Sequence, residues 1–411
     1  MFFIYEFAIR LFKIGMHLAA LFHPKARLWV QGRQNWRVKM LKLFHKPSDL
    51  VLWVHAASLG EFEQGRPLIE AFRAEHPDWK ILLTFFSPSG YEMRKHYEGA
   101  DWVAYLPADT HANARDFLDI VQPDLAIFIK YEFWANHLLE LKKRGIPTLL
   151  ISAIFRPSQP FFQFYGAFWR KMLTAFAHIF VQEHASEILL QSIGIENVST
   201  VGDTRVDRVL AIAQAAPKNP VAAKFVGAAA QVLVVGSSWE PDENLLAKVL
   251  EMPAFTFRTI LAPHEPSAAN VARAKGLFPQ PILYSEASAG HLSEAHTLII
   301  DNIGLLNTLY QYGTLAYIGG GFGKGIHNTL EPAAFGLPIL FGPKYAKFEE
   351  ARQLVATGGA FCVRTETDLQ QVLTQLQNPA EYKRASQAVR TYLEDNRGAS
   401  RKIMDYLDEH I

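Results

Sequence analysis

A chain of 411 residues that is 49% hydrophobic and 20% charged has room for two or three domains with large cores, which excludes wholesale disorder. A formal net charge of +1 excludes the global basic signature of a nucleic-acid binder, so no nucleic-acid partner is expected. The single cysteine, Cys362, excludes an intrachain disulfide and a cysteine-cluster metal site; the 15 histidines form no H-x-x-x-H or H-E-x-x-H pair, and no metal is expected.

Residues 1–22 are apolar and aromatic, interrupted by Glu6, Arg10, Lys13 and His17. Those charges fall three and four apart, on one face of a helix, while Phe2, Phe3, Phe7, Leu11, Ile14, Leu18 and Leu21 cover much of the rest. No run of about 18 uncharged apolar residues exists, so no clean spanning helix is predicted. A basic segment follows, with His23, Lys25, Arg27, Arg33, Arg37, Lys39 and Lys42. The pattern fits a monotopic anchor over residues 1–30 on an anionic membrane face, with Trp29 and Trp36 as interfacial anchors; a helix packed on the domain core is the plainer alternative. A signal peptide is not expected, because the extreme N-terminus is not basic and no A-x-A-type site follows.

From residue 50 the pattern changes. Apolar runs at 50–55, 81–86, 124–129, 148–151, 178–181 and 198–201 alternate with helical stretches. This predicts a doubly wound parallel sheet, one α/β domain over residues 31–208, with ligands beyond the carboxyl ends of its strands. After the first strand comes His55-Ala56-Ala57-Ser58-Leu59-Gly60-Glu61-Phe62-Glu63. Ser58 and Glu61 have capping-box spacing. A carboxylate at a strand end is equally a candidate general base, and the pattern does not separate Glu61 from Glu63. After the strand at 124–129 comes Lys130-Tyr131-Glu132-Phe133-Trp134-Ala135-Asn136, a second charged strand end that also reads as a helix N-terminus. Residues 154–166 mix prolines and aromatics without a period, which fits a lid, an apolar acceptor groove or an aromatic core cluster.

Residues 209–220 read as a linker. A second alternation follows, with strands at 232–235, 256–261, 297–300, 315–318, 338–341 and 360–363, giving a second domain over residues 221–398. Small or polar loops behind five of these strands suggest a nucleotide-type pocket. The most glycine-rich is 319–332, which contains Gly319, Gly320, Gly321, Gly323 and Gly325 before His327 and Asn328. Glycine allows positive φ and close approach to a ligand, and the expected helix start beyond it would present N–H groups to a phosphate. A plain strand-to-helix loop satisfies the same pattern; the spacing is neither a P-loop nor a dinucleotide fingerprint. Residues 399–411 read as a helix packing back on the first domain. Two doubly wound, Rossmann-like α/β halves facing a cleft are the layout of glycosyltransferase-B enzymes.

The ordered set Ser58-Leu59-Gly60-Glu61, Glu132-Phe133-Trp134-Ala135-Asn136, 319–332 ending in Asn328-Thr329-Leu330-Glu331-Pro332, and Phe341-Gly342-Pro343 resembles the Kdo (3-deoxy-D-manno-octulosonic acid) transferase family over nearly the whole chain. The resemblance implies a metal-independent, cofactor-free, inverting transfer of Kdo from CMP-Kdo to a lipid A precursor, at the cytoplasmic face of the inner membrane. It carries the family's base onto Glu61. The second motif falls on residues 130–136, where Glu132, Trp134 and Asn136 are kept and Lys130 and Ala135 replace a Glu and a Pro. A basic residue near the domain joint falls on Arg205, so Glu61, Glu132 and Arg205 are the expected catalytic set. The nucleotide-binding P-R pair falls on Pro263 and His264, M-G-E on Ile303, Gly304 and Leu305, and N-x-L-E on Asn328, Thr329, Leu330 and Glu331; Gly320 joins this donor set. His264 and Leu305 thus stand where the family has an arginine and a glutamate. Other nucleotide-sugar transferases or epimerases share the architecture, and a non-catalytic envelope-binding homologue is the alternative of a different class.

Overall fold

The computed structural model of the chain describes residues 1–44, 50–229, 231–287 and 292–410. Their internal contacts divide them into two compact units, Met1–Asp207 with Asn396–Ile411, and Arg208–Asp395.

The first unit holds seven strands: β1 (Val51–Ala56), β2 (Lys80–Phe85), β3 (Trp102–Tyr105), β4 (Leu125–Ile129), β5 (Thr148–Ala153), β6 (His178–Val181) and β7 (Val198–Thr200). They pair in parallel in the order β3-β2-β1-β4-β5-β6-β7. Every residue of β1 is buried, because helices cover both faces of the sheet. The period of two then sorts its side chains. Val51 and Trp53 join Phe117, Phe128 and Leu138 in one core. Leu52, Val54 and Ala56 join Phe62, Phe72 and Ile127 in the other. Each such side chain, fully buried, contributes about 1.5–3 kcal/mol.

Four helices precede or follow β1 closely: α1 (Phe2–Ala19), α2 (Pro24–Arg33), α3 (Trp36–Leu43) and α4 (Leu59–Glu75). The C-terminal helix Ala399–His410 lies in this unit as well. It places Ile403, Met404 and Leu407 in the core with Leu68 and Phe72 of α4. Asp207 ties its start, accepting from the Gly398 N–H at 2.5 Å and the Ser400 N–H at 2.8 Å.

The second unit repeats the plan with β8 (Val232–Ser238), β9 (Arg258–Pro263), β10 (Pro281–Leu283), β11 (Thr297–Ile299), β12 (Leu315–Ile318), β13 (Ile339–Phe341) and β14 (Ala360–Cys362). The order is β10-β11-β9-β8-β12-β13-β14, again all parallel. Each sheet therefore has a point where the chain turns from building outward on one side to building on the other. In the first unit it lies between β1 and β4, in the second between β8 and β12.

The sequence pattern misses two strands, β3 and β10. Both are short edge strands of apolar residues, and no residue of β10 is fully buried. Residues 209–220, expected as a linker, are largely helical: one helix runs Thr204–Gln214 and another starts at Pro220. The apolar spacing of Val206, Val209 and Ile212 carries the first helix on through Ala213.

Candidate active site

Ligands in open parallel sheets sit beyond the strand carboxyl ends where strand order reverses. In the first unit that place is built by the loops after β1 and β4, which carry Glu61 and Glu132. β1 ends at Ala56, and α4 starts at Leu59 with Glu61 in its first turn. The capping-box geometry is only half realised. Ser58 occupies the N-cap without a side-chain bond. The Glu61 carboxylate instead accepts the Ala57 N–H at 2.6 Å, which turns it back toward the strand end. Burial pushes its pKa up from 4.5 to about 7, the like charge of Glu132 adds to this, and the Ala57 N–H and the Lys130 ammonium pull against it. Glu63, the sequence alternative, points elsewhere and pairs with Arg94 at 2.6 Å.

Glu132 is buried and held by a chain of donors. Its Oε2 lies 2.9 Å from His55 Nε2 and accepts the Trp134 indole N–H at 2.6 Å. His55 Nδ1 is 2.8 Å from Thr84 Oγ1, which itself accepts the Trp53 indole N–H at 2.8 Å. His55 Nδ1 also lies 3.1 Å from the Thr84 carbonyl, which can only accept, and the Thr84 hydroxyl donates to the Val54 carbonyl at 3.3 Å. The Trp134 indole nitrogen lies 3.1 Å from His55 Nε2 as well, so His55, Trp134 and Glu132 meet at one point. The alternation of β1 alone put His55 on this inward path. Sequence reasoning missed it as a functional residue, because a histidine inside an apolar strand reads as core.

Lys130 ends β4 with φ 69°, a left-handed conformation uncommon for a side-chain residue. Its N–H still donates to the Ile151 carbonyl at 2.9 Å, so the sheet continues while the side chain is re-aimed. Arg205 forks onto Asp203, with Nε 3.1 Å from each carboxylate oxygen and Nη2 2.5 Å from one. The residues 154–166 divide: Phe155 and Phe161 are core residues beside Phe133, while Phe164 at the tip is 95% exposed.

In the second unit the loop after β12 behaves differently from expectation. A Cβ on Gly319 would stand 2.3 Å from the Ser237 carbonyl, so this glycine lets β12 approach the end of β8, a protein neighbour rather than a ligand. Gly320 has φ 92° and gives its N–H to Asp242 at 2.9 Å. Asp242 is fully buried; it also accepts the Trp239 N–H at 3.0 Å and the Tyr317 hydroxyl at 2.9 Å. The expected helix start is one turn, Leu330–Ala333, too short to build a useful dipole. Asn328 Nδ2 donates to Glu331 at 3.1 Å, and Asn328 Oδ1 accepts the Leu330 N–H at 3.0 Å. Thr329 and Leu330 are buried beneath. Ile303, Gly304 and Leu305 form the loop after β11, with Ile303 89% exposed and Gly304 at φ 99°.

Pro263 ends β9, and the residue after it enters an aromatic stack. The His264 ring lies 4.7 Å from Trp239 and 4.2 Å from His327, nearly parallel to both. The Trp239 indole N–H donates to His327 Nε2 at 3.1 Å. Burial pushes the His327 pKa down from 6.5 to about 4, and His264 adds to it. Trp239 and His327 are two further residues at strand ends that the sequence pattern did not single out. Among the described residues no three His, Cys, Asp or Glu side chains gather as a metal site.

Residues 33–208, which carry both Glu61 and Glu132, match the 3-deoxy-D-manno-octulosonic-acid transferase (kdotransferase) family. The chain is 26% identical over 350 residues to the 3-deoxy-D-manno-octulosonic acid transferase of Aquifex aeolicus, covering 82% of this chain and 90% of that one. It is 27% identical over 380 residues to the enzyme of the same name from Haemophilus influenzae, covering 89% and 88%. Over those residues, and across most of its length, the chain is similar to the Kdo transferases. Its two Rossmann-like sheets have the glycosyltransferase-B-type fold. Among solved structures, the UDP-GlcNAc 2-epimerase of Neisseria meningitidis superposes with a TM-score of 0.59 at 19% identity, over 88% of this chain and all of that one.

The chain's N-terminal helix is inverted relative to a helix packed on a core. Glu6 accepts the His111 N–H at 2.8 Å, and Tyr5 donates to the buried Asp109 at 2.5 Å. Apolar side chains face outward, with Phe3 90% exposed, Phe7 63% and Leu18 62%, and Arg10, Lys13 and His17 are exposed as well. Trp29 and Trp36, expected as interfacial anchors, are buried instead, because α1 lies over Trp29 and α3 turns Trp36 onto Phe117. No helix of the described residues is long and apolar enough to cross a membrane.

Proposed function

We propose that this chain transfers Kdo from CMP-Kdo to a lipid A precursor, in an inverting, metal-independent displacement with Glu61 as general base. One observation carries the mechanism: a carboxyl at the switch point of the first sheet, with its pKa raised to about 7. A base works best when its pKa lies near the working pH. The acceptor hydroxyl attacks the anomeric carbon of Kdo, and its proton passes to Glu61. The carbon–oxygen bond to phosphate breaks, and CMP leaves with the electron pair. Glu132, held by His55 and Trp134, keeps a second negative charge beside the base and favours its uptake of the proton. In the donor half, Pro263, His264, Ile303, Gly304, Leu305, Gly320 and Asn328 to Glu331 are assigned to the nucleotide. Arg205, and Lys324 of the glycine-rich loop 319–332, are assigned to its phosphate charge.

The exposed apolar face of α1 supports peripheral attachment to a membrane, and the reaction places that membrane as the cytoplasmic leaflet of the inner membrane. The test is transfer by the purified full chain, with CMP-Kdo generated in situ and lipid A precursor in vesicles, read by mass spectrometry. Addition of one or more Kdo masses is expected. CMP binding without transfer would instead support the non-catalytic homologue, for which His264 and Leu305 are the motivating residues. Stabilisation by UDP-sugars and not by CMP would point to a diphosphate donor.

A further inference from the structure

The inward side of α1 reaches the loop that carries Glu132. That loop ends at Trp134, the N-cap of the helix Ala135–Lys143, and Trp134 gives the cap no side-chain bond. A helix start leaves its first N–H groups without intrahelical acceptors. Here distant residues supply them. The Ala135 N–H donates to the Tyr5 hydroxyl oxygen at 3.3 Å, and the Asn136 and His137 N–H groups donate to the two carboxylate oxygens of Asp109, each at 3.0 Å. Tyr5 gives its own proton to Asp109 at 2.5 Å, on the oxygen that Asn136 uses. Asp109 is 1% exposed. Burial works to raise its pKa, but the His137 ring and the Tyr5 hydroxyl outweigh it and hold the carboxylate below its usual range. Burial and the Asp109 charge push the Tyr5 pKa far above its usual value, so the hydroxyl stays a donor. A side chain of α1 thus closes a helix start 130 residues away.

A second route runs through rings. Phe12 of α1 stacks on Phe86 at 6.0 Å, Phe86 stacks on Trp134 at 4.6 Å, and the Trp134 indole N–H donates to Glu132 at 2.6 Å. The two routes meet on residues 132–135. Contact of the outward face of α1 with lipid calls for neither of them.

We infer that Tyr5 and Phe12 are positioning residues: α1 sets the place of Trp134 and Glu132, so the helix takes part in turnover and not only in attachment. The inference rests on Glu132 acting beside Glu61 in the proposed transfer.

The test is steady-state transfer from CMP-Kdo by the full chain, with the acceptor in nonionic detergent micelles so that attachment to a bilayer is not read. Tyr5→Phe keeps the ring on Phe168 and removes the hydroxyl. Its kcat should fall about tenfold, with the KM for CMP-Kdo unchanged, because the residues assigned to the nucleotide lie in the second unit. The acid limb of its kcat/KM profile should move to lower pH, since the Glu132 charge is then held less closely beside Glu61. Phe12→Leu should change both in the same direction, and Phe12→Tyr, which keeps the ring, should restore them. Hydrogen exchange reads the coupling without turnover: residues 134–138 should exchange about fivefold faster in Tyr5→Phe than in the wild type. A normal kcat and acid limb in Tyr5→Phe, a fall in kcat with the limb unmoved, or unchanged exchange would each overturn the inference. Glu132→Gln is run beside it. A limb unmoved there as well would overturn the role of Glu132, and the inference with it. If the wild type transfers no Kdo, the proposed function falls, and exchange alone decides whether α1 holds the loop.

Discussion

His55 Nε2 meets Glu132 Oε2 at 2.9 Å inside the first unit, and Thr84 fixes the other ring nitrogen. The Trp134 indole N–H reaches the same carboxylate oxygen at 2.6 Å. Glu132 is thereby held as a fixed negative neighbour of Glu61, and the raised pKa of Glu61 follows in part from it.

Glu132→Gln removes that neighbour's charge. The acid limb of the kcat/KM profile, expected near pH 7 in the wild type, should move to lower pH. An unmoved limb would mean that burial alone sets the base.

The same shift has a cost in stability. Glu61 titrates near 4.5 when unfolded and near 7 when folded, so the folded chain binds the proton more tightly between those values. Stability should therefore fall as pH rises from about 4.5 to 7 and level off above. Glu61→Gln escapes this loss. Denaturant unfolding should find it more stable than the wild type by about 1–3 kcal/mol at pH 8, with the difference vanishing toward pH 4. A pH-independent difference would contradict the shift.

Asp242→Asn should destabilise the chain by about 1–3 kcal/mol, because one of its three buried donors, Gly320 N–H, Trp239 N–H and Tyr317 O–H, then faces an amide NH₂. Calorimetric titration should also find CMP binding weakened, since Asp242 fixes the loop at Gly320. Unchanged stability and affinity would show the loop to be held by other means.

Replacing Phe7 and Leu11 by glutamate puts charge on the exposed face of α1 without touching Tyr5 or Glu6, which dock it. Binding to neutral vesicles should weaken at least tenfold, given about 1.5–3 kcal/mol for each apolar side chain withdrawn from lipid. Retained binding would assign the membrane contact elsewhere.

The sheets were legible because a buried parallel strand is a continuous apolar run, and β1 or β4 can scarcely be read otherwise. The edges β3 and β10 were passed over although both are apolar, each being only four or three residues long. Glu61 was visible as a strand-end carboxylate, yet Glu63 was its equal in sequence until Arg94, 31 residues away, came into contact with it. His55, Asp242 and the Trp239–His264–His327 stack were illegible for the same reason. Each acquires its role from partners distant in the chain, and no local spacing encodes those partners. At Gly319 the local pattern suggested close approach to a ligand, and the Ser237 backbone takes that place.

The most direct test of the account is single-turnover transfer from CMP-Kdo by Glu61→Gln at pH 8, beside Glu63→Gln as a control. The account predicts a loss of about 10²–10⁴-fold for Glu61→Gln, with CMP affinity retained, and a near-normal rate for Glu63→Gln. A Glu61→Gln rate within a few-fold of the wild type would contradict it.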